Sequence, residues 1–303
     1  MKVFSAYKKG LKSTFQKKKM WLFLYLINLL FAFLAAGPFS DLLESELANS
    51  KVIQHIFGGF DYTVFMEFYQ QNSGAIWAFL GQAIILVFVF FVFNIFFSGG
   101  IINTFYKNKE HFILRNFWYD CSQFFWRFLR LTFYFLMFHA VLLAIFGVLF
   151  YTIIEGGSNA NLVSEVTIIS GAKIIFPIYA IFAIILSMIQ DYAKIHIVSG
   201  DKKMLTKPIL EIFKLTIKNF VKTASLYLLN ILTILIIFGI YRLLQTPFTS
   251  DNMTGIFILF LVGQLFLFCR IGVKLLNLGS ATWMYKYIAN QPIVEVDQGF
   301  EEV

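Results

Sequence analysis

The chain has 303 residues, 59% of them hydrophobic and 14% charged, with a mean hydropathy of +0.74 and a formal net charge of +8. A water-soluble domain carries about a quarter charged residues and exposes only small apolar patches, so this composition excludes an ordinary soluble fold. The apolar residues gather into runs near the ~20 residues that carry a helix across a hydrocarbon core, which makes this a membrane protein.

In chain order, a basic N-terminal segment leads into a first predicted span at 20–37, and five more follow at 76–99, 131–154, 168–190, 224–244 and 255–274. A backbone in lipid must satisfy its own hydrogen bonds, so these are read as helices. A lipid-facing barrel would alternate polar and apolar residues, and "VFVFFVFNIFF" (87–97) does not. The basic start of the first span also fits a cleaved signal peptide, but its apolar part exceeds the usual 7–15 residues. It is therefore read as a span. The expected architecture is all-α: a polytopic membrane helix bundle of six transmembrane helices in three two-helix repeats. Residues 1–290 form one domain, and 291–303 form a disordered acidic tail.

Between the first two spans, segment 38–75 predicts two short helices on the outer leaflet. Ser40 and Asp61 stand as N-caps, and "FGGF" (57–60) forms the turn. Its carboxylates, Asp41, Glu44, Glu46, Asp61 and Glu67, are read as a solvated face in preference to a cation site. All but three of the 25 Lys and Arg (Lys51, Lys173 and Arg242) fall on one side of the six-span arrangement. By the positive-inside rule that side is cytoplasmic, with both termini in the cytoplasm of a bacterial inner membrane. Cys121 and Cys269 then read as reduced thiols.

The approaches to the odd spans resemble one another. "YKKGLKSTFQKKKMWLFLYLIN" (7–28) lies on "ILEIFKLTIKNFVKTASLYLLN" (209–230) without a gap, bringing Lys12 onto Lys214, Tyr25 onto Tyr227 and Asn28 onto Asn230. The middle copy, 116–139, is looser. The exits "GIINTFYK" (100–107) and "GSATWMYK" (279–286) also match in part. Such similarity marks duplication. Each unit begins with a basic amphipathic helix, an interfacial element on the cytoplasmic side. In 209–222, Ile209, Phe213, Ile217 and Phe220 share a face, while Glu211, Lys214, Lys218 and Lys222 line the other. Lys8, Lys12, Lys214, Lys218 and Lys222 are the candidate contacts to anionic headgroups. The competing reading folds these helices against the bundle, with solvated lysines.

Catalytic motifs are wanting. The four histidines lack ligand spacing, and no phosphate loop, dinucleotide fingerprint or nucleophile elbow occurs, so no catalytic residue, metal or cofactor is expected. Asn28, His139 and Asn230 form a candidate intramembrane polar cluster, read first as helix-to-helix adhesive and second as a substrate site. Asp191 with Arg270 and Lys274 forms a candidate inner-interface ion pair.

"DYAKIHIVSGDKK" followed by "PILEIFKLTIKNF", together with "GGFDYTVFMEF", carries a resemblance to uncharacterised bacterial six-span integral membrane proteins. The chain is similar as well to the membrane domain that accompanies some glycerophosphodiester phosphodiesterases, over most of residues 1–290. The resemblance implies a six-span membrane fold; the phosphodiesterase domain itself has no counterpart here. The expected function is non-enzymatic, the organisation of lipids or protein partners (a membrane protein or a second copy), with no nucleic acid. The alternative is a transporter or channel for a small or lipid-like substrate.

Overall fold

The computed structural model describes residues 2–47, 62–71, 73–108, 112–157, 165–200, 206–248 and 253–289. The helices among them are α1 (Lys2–Gln16), α2 (Lys18–Leu47), α3 (Tyr62–Gln71), α4 (Ser73–Tyr106), α5 (Leu114–Gly157), α6 (Glu165–Gly200), α7 (Thr206–Lys218), α8 (Phe220–Gln245) and α9 (Met253–Ile288). The fold is all-α, and α2, α4, α5, α6, α8 and α9 are each long and apolar enough to span a bilayer. Each contains one predicted span; α2, α5, α6 and α9 run at least ten residues past it at one end, α8 only four. At 44 residues, α5 is about 66 Å long, twice the thickness of a hydrocarbon core.

The chain forms two compact units. The smaller, Leu22–Asn94, holds most of α2, all of α3 and the first part of α4. Phe31 of α2 lies edge-on to Phe90 and Phe93 of α4, with ring centroids 5.2 and 5.5 Å away. Pro38 and Ser40 lie inside α2, which continues to Leu47. The apolar span ends at Pro38, one residue beyond the expected 37, but the helix does not stop there. The N-cap expected at Ser40 is corrected, because proline removes one backbone donor and a helix end in a membrane tolerates that loss. Helix α3 begins at Tyr62, where the second short helix was expected, while Asp61, the "FGGF" turn and the tail 291–303 lie outside the described residues.

The larger unit comprises Met1–Trp21 and Ile95–Val303. Helices α5 and α6 form a hairpin zipped by Phe146 against Tyr179 and Phe182, and by Phe150 stacked on Phe176. Helices α8 and α9 form another, in which Tyr241 stacks on Phe266 at 4.5 Å. Burial is concentrated at one end. The most apolar windows of the spans are between 0% (α4) and 22% (α8) buried, so lipid, not protein, is their solvent. The packed core is built from the helix ends beyond them: Ile101, Ile102 and Phe105 of α4, Phe117, Phe124 and Phe128 of α5, Tyr192, Ile195 and Ile197 of α6, and Leu275, Met284 and Tyr285 of α9.

Helix α1 joins this core by running antiparallel along the end of α9. Its small residues Ala6, Gly10, Ser13 and Thr14 are buried. A Cβ at Gly10 would lie 2.7 Å from the Cα and backbone nitrogen of Ser280, so only glycine permits this approach. Lys2 reaches the Tyr287 hydroxyl at one end of the contact. Trp21 covers Gly272 at the other, stacks on Phe268 at 4.6 Å and donates its indole N–H to the Phe268 carbonyl at 2.8 Å. One face of α1 is thus committed to protein, while Lys8 and Lys12 remain exposed.

The two segments that match in sequence also match locally. Helix α1 gives way to α2 at Lys17, and α7 gives way to α8 at Asn219, positions paired by the gapless alignment. Trp21 N–H bonds to the Lys17 carbonyl in one, and Thr223 N–H to the Asn219 carbonyl in the other. Buried Gly10, Thr14 and Leu24 correspond to buried Ile212, Thr216 and Leu226. The middle segment differs, for α5 is unbroken from 114 to 157.

Candidate functional site

One chain of polar side chains in the larger unit ends on Asp191. Helix α6 places it where the apolar run ends, beside buried Met188, Ile189 and Tyr192, with its own side chain 19% exposed. Lys194, one turn on, contacts Oδ1 at 3.4 Å. Oδ2 accepts the Tyr227 hydroxyl of α8 and the Asn277 amide N–H of α9, the latter at 3.2 Å. Asn277 also donates to the Tyr227 oxygen at 3.3 Å. Behind it, Asn230 donates to Asn277 Oδ1 at 3.0 Å and to Ser280 Oγ at 3.2 Å, while Ser280 donates to the Asn277 carbonyl at 3.1 Å. The bonds from Asn230 to Asn277 and from Asn277 to Asp191 form a relay that ends on the carboxylate. Asp191 thus accepts from Lys194 on its own helix, from Tyr227 on α8 and from Asn277 on α9. The carbonyl oxygen of Asn230 is buried and has no partner among the described residues.

The network locates the residues singled out in the sequence. Asp191 does join helices, through Tyr227 and Asn277. Arg270 and Lys274 are exposed on α9, two turns and one turn before Asn277. Asn230 finds its partners on α9. Asn28, in the smaller unit, donates to the Leu24 carbonyl of its own helix at 2.7 Å. His139 is half-buried on α5. Asn277 and Ser280 were missed because the predicted sixth span stops at 274. Their i, i+3 spacing, which puts both on one helix face, was the available signal.

A second cluster lies one to two turns beyond Asp191. The two ring nitrogens of His196 contact the Tyr285 hydroxyl at 2.7 Å (Nδ1) and Glu211 of α7 at 3.2 Å (Nε2). Ser199 Oγ donates to the His196 carbonyl at 2.8 Å and lies 2.9 Å from the same phenol. These contacts fasten α7 to α6 and α9. Two buried lysines complete the end. Lys286 donates to the Tyr106 carbonyl at 2.7 Å, and the orphan carbonyls closing α4 compensate its charge. Lys17 contacts Ser13 Oγ at 3.3 Å and lies over the Phe105 ring, and burial pushes its ammonium below the usual 10.5.

The candidate headgroup lysines divide into two groups. Lys214 and Lys218 are exposed on α7, next to exposed Leu210, Phe213 and Ile217, and Ile212 and Thr216 turn inward. Lys222 is half-buried over the Tyr287 ring. Among the described residues no cluster of three or more His, Cys, Asp or Glu has the geometry of a metal site. Fold and site together define a multi-pass α-helical membrane protein whose helices α6, α8 and α9 are joined by a part-buried polar network. Set against family profiles, curated proteins and solved structures, the chain matches none.

Proposed function

We propose that this is a non-enzymatic protein of a bacterial cytoplasmic membrane, with both termini inside, that organises lipids or partner proteins from its basic face. The observation that carries the reading is the outer surface of α7. Leu210, Phe213 and Ile217 are 62%, 44% and 52% exposed, and Lys214 and Lys218 stand beside them. An apolar stripe that the protein leaves uncovered, flanked by cations, suits the boundary between acyl chains and anionic headgroups. Lys8 and Lys12 add charge from α1. The bias of Lys and Arg to that side supports the orientation. The paired breaks at Lys17 and Asn219, with the burial shared around them, support a duplicated unit, and the continuous α5 suggests a third copy that lost its break.

The test uses the full-length protein in nanodiscs of zwitterionic lipid with increasing anionic phospholipid. Lys8, Lys12, Lys214 and Lys218 near such a surface contribute on the order of 1 kcal/mol each. Changing all four to Gln should remove most of the gain in melting temperature that anionic lipid gives the parent. An undiminished gain in the variant refutes the reading.

A further inference from the structure

The outer face of α7 and the end of α9 lie side by side. Lys214 and Lys218 stand exposed among Leu210, Phe213 and Ile217, and among the described residues neither lysine has a hydrogen-bond or ion-pair partner. Glu211, the one carboxylate of α7, contacts His196 Nε2 at 3.2 Å. Helix α9 approaches both ends of this face. Tyr285 reaches Glu211 through His196, and the Tyr287 ring centroid lies 5.8 Å from the ammonium of Lys222, one turn past Lys218. The Ala289 N–H then closes the last described turn on the Tyr285 carbonyl at 2.9 Å.

Residues 290–303, "NQPIVEVDQGFEEV", follow from that point. They carry four carboxylates, Glu295, Asp297, Glu301 and Glu302, and no Lys or Arg. In "IVEVD" (293–297) apolar residues interleave with acids, as apolar residues interleave with lysines on the outer face of α7. We propose that this segment docks on that face, with Glu295 and Asp297 against Lys214 and Lys218, and that anionic phospholipid displaces it. The reach is ample. Seven residues from Ile288 to Glu295 extend up to about 23 Å, while Lys218 and Lys214 lie only about 6 and 12 Å along the helix from Lys222. A short tether keeps the segment at a roughly millimolar effective concentration. Exposed ion pairs that are weak singly then suffice to hold it, and a membrane rich in anionic headgroups can outcompete them. The displacement rests on the lipid-facing reading of α7; the docking does not.

The experiment uses the full chain, one copy to a nanodisc. In zwitterionic lipid a carbodiimide should join Glu295 or Asp297 to Lys214 or Lys218, as read by peptide mass spectrometry, and anionic phospholipid should abolish that product. Glu295→Gln with Asp297→Asn should lower the anionic fraction that gives half of the gain in melting temperature by about three- to tenfold, the range of two exposed ion pairs. Glu301→Gln with Glu302→Gln removes the same charge and should shift it by less than about twofold. Carboxylates that join only other lysines, or none, overturn the proposal, as does a product that forms only when two copies share a disc. Equal shifts from the two variants overturn it too, since they mark general repulsion by the membrane surface. If anionic lipid gives the parent no gain in melting temperature, the lipid-facing reading fails by itself, and the cross-link with its loss on anionic lipid still decides this proposal.

Discussion

Substituting Gly10 tests the seating of α1 on α9 most directly. An alanine there places its Cβ 2.7 Å from Ser280 Cα, Cβ and backbone nitrogen, where ordinary contact begins near 3.4 Å. Backbone cannot swing aside as a side-chain tip does, so α1 must retreat by about 0.7 Å or more along this seam. Overpacking of this kind costs about 1–3 kcal/mol, against a gain of about 1 kcal/mol from replacing glycine inside a helix. The net expectation for Gly10→Ala is a loss of up to about 2 kcal/mol. Gly239→Ala on α8 meets nothing within 4 Å and should show only the gain. Melting in detergent measures both, and limited trypsinolysis at Lys8 and Lys12 reports whether α1 has lifted. If Gly10→Ala melts at or above the parent, as Gly239→Ala should, the close approach of α1 to α9 is wrong.

Asp191→Asn removes the anion that accepts from Tyr227, Asn277 and Lys194, and should cost about 2–3 kcal/mol by melting. Trp21→Phe keeps an aromatic ring near Phe268 but loses the donor to its carbonyl; about 1 kcal/mol of lost stability is expected, measured by calorimetry. Lys17 supplies a pH dependence. The unfolded chain keeps the ordinary value of 10.5 and the folded ammonium sits below it, so the unfolded state binds more protons between the two. Stability from this group should rise as pH climbs through that window. Lys17→Met should flatten the trend.

Local composition dictates the spans, and these were legible: each predicted stretch lies inside an observed helix. Helix length was not legible. The continuation of α6 through "DYAKIHIVSG" rests on burial of Tyr192, Ile195 and Ile197 against distant segments, which no local hydropathy reveals. Asp191 stood out as a carboxylate closing an apolar run, but its partner Asn277 is 86 residues away. Equivalent sequence also did not ensure equivalent contacts. Asn230 reaches across to α9, whereas Asn28 turns back on its own helix. An amide in an apolar run must bond to something, and the sequence says only that.

Why the packed core sits at one end follows from the solvent. Within the bilayer, acyl chains are as apolar as Phe or Leu side chains, so bringing two spans together gains no hydrophobic energy. Beyond the hydrocarbon, water restores that driving force, at about 25 cal/mol for each Å² of apolar surface removed. The windows of α4 and α5 are 0% and 6% buried, while Phe105, Phe117 and Phe128 on the same two helices are almost wholly inaccessible. Helices that only cross the lipid are free to slide and rotate; the ends must fix their register. A half-buried carboxylate accepting from α6, α8 and α9 at once suits that task, because any axial shift of one helix strands a donor without its acceptor. The polar network and the aqueous core therefore act together: the core supplies the free energy of association, and Asp191 restricts it to one alignment.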